Sequence, residues 1–345
     1  MTDRSGGADA QAWAFDAVES VSRTFALSID LLEEPMSAWV CTGYLLCRVA
    51  DTVEDEPRLS PDRRADLLDS YEAMLDPEAD TGVEQFLDAA RDARPADGGP
   101  GWDVVARTDR VLGLLDSYDP AVGAATRDVG REMAGGMAAF LREYADEPGL
   151  RLRTVDELEE YCWYVAGTVG QLFTRLLACR GLWADPPDPD DARAFALLLQ
   201  LVNIAKDVGA DRETEGNVYL PREWLAAEGI DHDEVARATP AVVRVVERTA
   251  EHAAAHAEGA RRYLRAVPDE GRVLEAAALP YLLAVGTLRE LRDRPADALD
   301  GGVKLDRAEV EALHERMARG VTQAEVSRLA ERIRAGAAPA ELRAE

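Results

Sequence analysis

The sequence predicts an all-α protein built as one helical bundle. Apolar residues recur at helical spacing through most of the 345 residues, and no convincing alternation of polar and apolar residues predicts a strand. No linker is long or biased enough to require a domain boundary. We therefore expect one domain over residues 1–345, with a core at about 11–293 and C-terminal helices at about 303–337.

Breaks in the helical pattern define the expected elements. Ser22 to Thr24 interrupts the first helix, residues 154–157 resemble a capping box, and Pro240 and Pro268 limit the later helices. Residues 95–101, 185–189 and 296–302 are rich in Pro, Gly or Asp and predict turns or loops. The expected helices are 13–30 with its interruption, 35–53, 61–74, 103–117, 121–144, 154–179, 190–211, 231–267, 271–293, 306–319 and 322–335.

The composition is strongly acidic. The formal net charge is −27, and the only lysines are Lys206 and Lys304. This charge makes nucleic acid and anionic membranes poor electrostatic partners. It favours a solvated surface suited to high salt, where screening removes most self-repulsion, and hence a halophilic origin. A hydrophobic content of 47% argues against a disordered acidic chain.

The sequence contains no targeting or membrane signal. No apolar run reaches the roughly 18 residues of a membrane span, and residues 1–10 lack the basic and apolar pattern of a signal peptide. We expect a monomeric, cytoplasmic protein without a transmembrane anchor. Peripheral contact with a membrane for release of a product stays open.

A polar row ends one apolar helical segment. It consists of Tyr44, Arg48, Asp51 and Asp55, at steps of four, three and four residues, with Glu54 beside it. Burying like charges is costly unless a cation neutralises them, and carboxylates without nearby His or Cys suit Mg²⁺. We predict Asp51, Glu54 and Asp55 as metal ligands and Arg48 as a donor to a diphosphate. A solvated face with an Arg–Asp pair is the alternative.

A second polar row lies about 150 residues later. It consists of Gln200, Asn203, Asp207 and Asp211, at steps of three, four and four residues, and Lys206 flanks it. Asp207 and Asp211 are predicted metal ligands, while the two amides would orient substrate or metal-bound water. Hydrogen bonding between helices is the alternative for the amides. Two such helices facing each other would form a site for a magnesium diphosphate.

Two further segments offer groups for the same substrate. Arg23 stands between apolar segments, and its guanidinium fork suits bidentate phosphate binding, although a surface arginine is the simpler interpretation. Residues 161–170 carry aromatic side chains and two helical glycines. Helical glycines indicate close approach by a neighbouring helix or by a ligand chain.

Motifs for other chemistries are weak or absent. His252 and His256 have the spacing of two zinc ligands, but the sequence shows no third ligand, so we expect an ordinary surface helix. Glycine-rich phosphate loops and Rossmann glycine patterns are absent. A nicotinamide cofactor would therefore bind without a Rossmann fold.

Four segments in this order resemble the squalene/phytoene synthase family of head-to-head prenyl synthases. They are residues 22–25, 44–55, 161–170 and 200–221. The resemblance runs from about Ser20 to Arg307. It implies an isoprenoid synthase helical bundle around a central cavity, with Mg²⁺ or Mn²⁺ bound by the carboxylates and with Arg23, Arg48, Gln200, Asn203 and Lys206 at the substrate diphosphates.

Within the family, the segments are closer to squalene synthases than to phytoene synthases. The string at 51–55, the pattern at 161–170 and the residues around 279–288 and 302–305 are similar to squalene synthases. This similarity implies condensation of two farnesyl diphosphates to presqualene diphosphate and reduction by NADPH to squalene. It also implies that Lys304, Arg307 and Asn203 bind NADPH, and that Tyr161, Tyr44 and Arg48 act in catalysis, with Tyr161 assisting proton removal or steering the carbocation.

Some positions depart from the squalene synthase pattern. Ala210 stands where many of these enzymes carry Glu, which leaves Asp207 and Asp211 available for metal. Asn217 and Asp306 stand where basic residues are expected, and both changes weaken the predicted cofactor site. A phytoene synthase that joins two geranylgeranyl diphosphates without NADPH is the nearest alternative. A non-catalytic assembly factor with the same fold is a remote one.

Overall fold

The computed structural model describes residues 4–183 and 186–343. Within these residues the regular structure is helical; they contain no strand, and Arg151 and Val218 form an isolated parallel bridge. The all-α prediction is confirmed. Contacts between Cα atoms group the chain into two compact units, residues 1–145 with 168–184 and residues 146–167 with 185–345. The single-domain boundaries stay a prediction.

The helices are numbered along the chain. They are α1 Arg4–Val21, α2 Arg23–Asp30, α3 Met36–Glu54, α4 Pro61–Leu75, α5 Val83–Ala93, α6 Gly99–Val105, α7 Thr108–Asp116, α8 Pro120–Glu143, α9 Val155–Cys162, α10 Thr168–Cys179, α11 Pro189–Thr214, α12 Arg222–Ala227, α13 Pro240–Ala255, α14 Ala257–Ala266, α15 Val273–Asp293, α16 Arg307–Ala318, α17 Gln323–Arg334 and α18 Pro339–Arg343. Shorter turns are the π-helical Trp163–Gly167 and the 3₁₀ segments His232–Ala236, Glu270–Arg272 and Pro295–Leu299.

Helix α3 is the central element of the first unit. It packs against α1, α2, α4, α6, α7, α8 and α10, and most of its side chains are buried. Two glycines allow neighbours to approach closely: a Cβ at Gly43 would lie 2.6 Å from Leu172, and one at Gly130 of α8 would lie 2.3 Å from Leu46. The first acidic row therefore belongs to a helix that is surrounded by apolar contacts.

Helix α11 has the corresponding place in the second unit. It packs against α9, α13, α14, α15 and the turns at 163–167 and 295–299. A core of aliphatic residues and Trp224 surrounds its C-terminal half. Gly209 lies against the backbone of Leu299, so that a Cβ would be 2.5 Å from the Leu299 carbonyl oxygen. This contact holds the chain that follows α15 against the helix that carries the second acidic row.

Most predicted helices are present, and the differences have local causes. Ser22 interrupts the first helix as expected, because its side chain accepts a hydrogen bond from Phe25 N–H and begins α2. The expected helix 103–117 is instead two, α6 and α7, separated at residues 106–107, and α6 begins inside the expected loop 95–101. The short helices α5, α12 and α18 were not predicted. Asp185, in the expected turn 185–189, lies outside the described residues.

The expected helix 154–179 is divided by the π-helical segment. Thr154 caps α9 by accepting from Glu157 N–H at 3.1 Å. The Glu157 carboxylate accepts from Arg153 N–H at 2.6 Å, one residue before the cap, so the reciprocal bond of a capping box is displaced. At Gly167 a Cβ would lie 2.3 Å from the Trp163 ring, so the close approach comes from within the same segment.

One helix in the described part of the chain has the length and hydropathy of a membrane span. It covers Glu270–Asp293, and 78% of its apolar window is buried inside the protein. Such burial is typical of a core helix, and α15 packs against α11, α13, α16 and α17.

Replacing Gly209 by Ala should destabilise the protein by about 1–3 kcal/mol, because the new Cβ would overlap the rigid backbone of Leu299. Gly113→Ala is the matched control: Gly113 lies inside α7, and nothing lies within 4 Å of a Cβ there. That change should stabilise by about 0.5–1 kcal/mol through helix propensity. Urea unfolding of the three proteins measures both effects, and equal stabilities for the two variants would contradict the assigned contact.

Candidate functional site

The first acidic row lies at the C-terminal end of α3. Arg48 donates from Nη1 to Asp51 Oδ2, and both side chains are about 30% exposed. Burial raises the pKa of Asp51 above its ordinary value, and the charge and hydrogen bond of Arg48 offset part of that rise. Asp55 is the C-cap of the helix and is also partly buried. Asp51 and Asp55 therefore share a half-exposed face, as the four-residue spacing predicts.

Glu54 differs from its neighbours in the row. The residue is 1% exposed, because at about 3.6 residues per turn it lies about 100° around the helix from Asp55, on the flank that faces the core. Its backbone carbonyl accepts a hydrogen bond from Arg64 Nη1. Its predicted role as a metal ligand stays a prediction, and the structure gives it less access to solvent than Asp51 or Asp55.

The break between α1 and α2 is held against the first row. The ring of Phe25 stacks on Tyr44 with centroids 4.2 Å apart, and the Ser22 side chain forms a hydrogen bond with the Tyr44 hydroxyl. Burial raises the pKa of Tyr44 above 10. Arg23, the first residue of α2, is exposed. The two arginines of the predicted diphosphate site thus come from adjoining helices that share an aromatic contact.

A buried carboxylate that sequence reasoning missed fixes the chain just after the row. Glu56 is 5% exposed; it accepts from Trp102 Nε1 at 3.0 Å and from Arg58 Nε at 2.6 Å. Burial alone would raise its pKa, but these donors outweigh burial and lower the pKa below its ordinary 4.5. The sequence around Glu56 does not predict its contact with Trp102, because the two residues are 46 positions apart.

The second row lies near the C-terminal end of α11. Lys206 donates from Nζ to Asp207 Oδ2, and both side chains are about one quarter exposed. Burial, followed by the charges of Glu215 and Asp207, raises the pKa of Asp211 to about 8, while Lys206 acts in the opposite direction. Three carboxylates at four-residue spacing, Asp207, Asp211 and Glu215, therefore share one face with a single neighbouring lysine.

The two amides of the second row lie one and two turns earlier on α11. Gln200 is partly buried and Asn203 is exposed. Their predicted roles in orienting substrate, metal-bound water or cofactor stay predictions.

The predicted cofactor segment lies beside the second row. Val303 N–H donates to the Lys206 carbonyl at 2.9 Å. Gly302 has a φ of +84°, and a Cβ there would be 2.8 Å from Asp207 Oδ1. Lys304 follows with an exposed side chain. The structure thus brings Lys206, Asp207 and the 302–304 segment together within the second unit.

Carboxylates balance much of the positive charge of Arg307 and of the neighbouring cavity. Arg307 is 91% exposed at the start of α16 and pairs with Glu311 at 2.8 Å. A cavity of about 580 Å³ has Lys304, Arg289 and Arg294 in its lining, together with Glu290, Asp306 and Glu309. Arg289 and Arg294 both bind Glu290, so Lys304 is the lining cation without a described ion pair. The predicted role of Lys304 in binding a cofactor stays a prediction, and Arg307 is directed to a carboxylate.

Tyr161 lies in a buried network within the second unit. Its hydroxyl donates to the Tyr219 hydroxyl at 3.1 Å, and the rings stack with centroids 4.9 Å apart. Tyr219 in turn donates to Glu215 Oε2 at 3.3 Å, and Asn217 Nδ2 donates to the Tyr219 hydroxyl at 2.9 Å. Asn217, 2% exposed, also accepts from Leu150 N–H. Sequence reasoning missed Tyr219 and Glu215, although Tyr219 lies in the segment at 218–221 that carried the resemblance.

The donor chemistry fits Mg²⁺. Both rows present carboxylate oxygens without histidine or cysteine, which is the ligand set of a hard divalent cation. Burial raises the pKa of Asp51 and of Asp211, so the lysine and arginine beside them do not fully compensate the ionised forms. A divalent cation at each row would supply the missing positive charge.

Most of the chain matches a known protein family. The sequence profile described as squalene/phytoene synthase matches residues 18–309, which is most of the chain. The chain belongs to the squalene/phytoene synthase family. Curated relatives include squalene synthase 1 of Arabidopsis thaliana, 26% identical over 293 residues, and presqualene diphosphate synthase of Botryococcus braunii, 26% identical over 291 residues.

The extent of these matches is unequal. The Arabidopsis match covers 80% of this chain and 64% of the relative, and the Botryococcus match covers 83% and 67%. The chain thus spans slightly less than two thirds of the length of the first of these relatives. The fold is also similar to solved structures: TcSQS in complex with a ligand has a TM-score of 0.79 at 23% identity, covering 96% of this chain and 92% of that one. A dehydrosqualene synthase has a TM-score of 0.60 at 22% identity, covering 91% and 96%.

Glu56→Gln should cost about 1.5–3 kcal/mol of unfolding free energy at pH 7, because it removes the charge from hydrogen bonds with Trp102 and Arg58. Since the folded-state pKa is lowered, the stabilisation is present above about pH 4.5 and is lost as the pH falls through the folded-state value. Urea unfolding at pH 7 and below pH 4, with the exposed Glu78→Gln as control, measures the difference. A cost for Glu56→Gln that is the same at both pH values would contradict the assignment.

Proposed function

We propose that the protein joins two farnesyl diphosphates head to head to form presqualene diphosphate, and then reduces this intermediate with NADPH to squalene. The first step forms a carbon–carbon bond, expels one diphosphate and releases a proton. The second step expels the other diphosphate and takes up a hydride. Family membership supports the reaction class. Relatives named squalene synthase and presqualene diphosphate synthase support the choice of substrate.

The observation that carries the proposal is the pair of half-buried carboxylate rows, each with a cation beside it. Asp51 pairs with Arg48 and Asp207 with Lys206. A metal bound by the carboxylates would neutralise charge on the departing diphosphate. Arg48 and Lys206 would donate to the diphosphate oxygens, and Arg23 would add a bidentate donor.

The proton released in the first step needs an acceptor that lies inside the protein, away from bulk water. Tyr161 is 3% exposed, and the hydrogen bonds run in one direction from Tyr161 to Tyr219 and on to Glu215. In the proposed mechanism Tyr161 accepts the proton and passes its own to Tyr219, which in turn passes its proton to Glu215, so that the Glu215 carboxylate is neutralised. Tyr44, stacked on Phe25, would shield the developing allylic cation with its ring face.

The choice of NADPH rests on Lys304. This side chain is exposed next to the second row, and the described residues include no ion pair for it. Lys304 would bind a cofactor phosphate, and Asn203 on α11 would add a polar contact to the cofactor. Arg307 would need to leave Glu311 to contribute, so we assign it the smaller part of the binding.

Incubation of the protein with labelled farnesyl or geranylgeranyl diphosphate, with and without NADPH, tests the proposal. We expect presqualene diphosphate from farnesyl diphosphate and Mg²⁺ alone, and squalene when NADPH is added. High salt is the appropriate medium for a chain with a charge of −27. Chelation of the metal should stop both steps. A C40 product that is unaffected by NADPH would instead identify a phytoene synthase, and no turnover of either diphosphate would favour an assembly factor.

A further inference from the structure

Three potential metal ligands meet in the second unit, apart from the carboxylate rows. His252 lies in the last turn of α13, His256 lies at the junction of α13 and α14, and Glu159 comes from α9. The four-residue spacing places both imidazoles on one face of the helix. The sequence showed no third ligand because Glu159 is 93 residues from His252. The structure supplies it.

The distances from Glu159 to the two histidines are close to those between ligands of a tetrahedral ion. His252 Nε2 lies 3.1 Å from Glu159 Oε1, and His256 Nε2 lies 3.7 Å from the same oxygen. All three ligand atoms lie within 4.8 Å of one another. Metal–ligand distances of about 2.0–2.1 Å at tetrahedral angles place ligand atoms about 3.3–3.4 Å apart. Small side-chain movements therefore suffice to bring one ion into contact with all three.

The nitrogen of His256 lacks a partner that a metal would supply. Its Nε2 atom is buried and has no hydrogen bond with any described residue. A buried imidazole nitrogen without a hydrogen-bond partner lowers the stability of the fold, and it is typical of a site that binds an ion or a water molecule. The three side chains remain 19–27% exposed, so an ion has a route from solvent.

The surroundings orient the carboxylate without closing the site. Arg193 lies 3.7 Å from Glu159 Oε2 and over the ring of Trp163, so it engages one carboxylate oxygen and leaves Oε1 towards the histidines. The rings of Trp224 and His252 pack nearly perpendicular to each other, with centroids 5.6 Å apart. A charged group behind a ligating carboxylate and an aromatic wall beside a ligating imidazole are common outer contacts of metal sites.

The geometry points to a transition-metal site that binds Zn²⁺ through His252 Nε2, His256 Nε2 and Glu159 Oε1, with solvent in the fourth position. Imidazole nitrogens prefer Zn²⁺ over the hard Mg²⁺ expected at the carboxylate rows. The ion would connect α9 to the α13–α14 junction. Since Glu159 is two residues before Tyr161, it would also hold the helix that presents this tyrosine. This inference does not depend on the proposed reaction.

Thermal unfolding of the full chain with Zn²⁺ or with a chelator tests the site. Millimolar Mg²⁺ is present throughout, so that it competes with Zn²⁺ for surface carboxylates and for the acidic rows. We expect Zn²⁺ to raise Tm by a few degrees in the unmodified protein and in His314→Asn, which removes a histidine elsewhere. His256→Asn and Glu159→Gln should lose this rise. Because each variant is compared with itself, a general loss of stability cancels.

Co²⁺ provides a second measurement. One equivalent should give the visible absorption of a four-coordinate ion in the unmodified protein and in His314→Asn. The affinity for Co²⁺ should fall at least about tenfold in the two ligand variants. Changing a residue that only contacts a metal ligand already lowers metal affinity by about 10- to 100-fold. Equal Zn²⁺ shifts in all four proteins would overturn the site and assign the effect to surface acids. No shift and no absorption in the unmodified protein would also overturn it.

Discussion

The rest of the structure depends on one constraint: several carboxylates lie on helices that are packed against neighbouring helices on most sides. Asp51 lies on the central helix of the first unit, and Asp207 and Asp211 lie on the central helix of the second. Burial raises the pKa of Asp51 and of Asp211, which measures the cost of ionising them there. Arg48 and Lys206 offset only part of that cost. Partly buried carboxylates whose negative charge is not balanced lower the stability of the fold. Such an arrangement is typical of a site that is completed by cations.

The second row makes more contacts with distant parts of the chain than the first, because three separate segments meet there. Gly209 admits the Leu299 backbone, and Gly302 brings the next turn against Asp207. On the same helix face Glu215 receives the hydrogen bond of Tyr219 and, through it, connects with Tyr161. Metal ligands, the cofactor segment and the proton-accepting tyrosine of the proposed mechanism are thus joined by short contacts within one unit. A substitution at Glu215 or Gly302 would consequently affect more than one of these functions.

The sequence predicted what depends on local periodicity. The helices α3 and α11 and the break at Ser22 follow from spacing and capping, and the structure contains them. The structure also contains the Arg48–Asp51 pair, which was the alternative to the predicted role of Arg48 at a diphosphate. Contacts between distant segments did not follow: Glu56 with Trp102, Tyr161 with Tyr219, and Glu159 with His252 are separated by 46, 58 and 93 residues. Glu54 shows the limit within a helix: it lies about 100° around α3 from Asp55 and is buried, whereas Asp51 and Asp55 are partly exposed. Convergence of the two rows on one substrate stays a prediction.

The most direct measurement is the affinity for inorganic diphosphate, by titration calorimetry with Mg²⁺, in the unmodified protein, Asp51→Asn, Asp207→Asn and the double variant. Glu213→Gln, exposed two residues beyond Asp211, is the control. Removing a carboxylate from a metal-free anion site would strengthen diphosphate binding by relieving repulsion. If the rows hold cations for one diphosphate, each single change should instead weaken binding at least tenfold, and the double variant should lose much less than the sum of the two free-energy changes. Additive losses, or tighter binding in either single variant, would contradict the account.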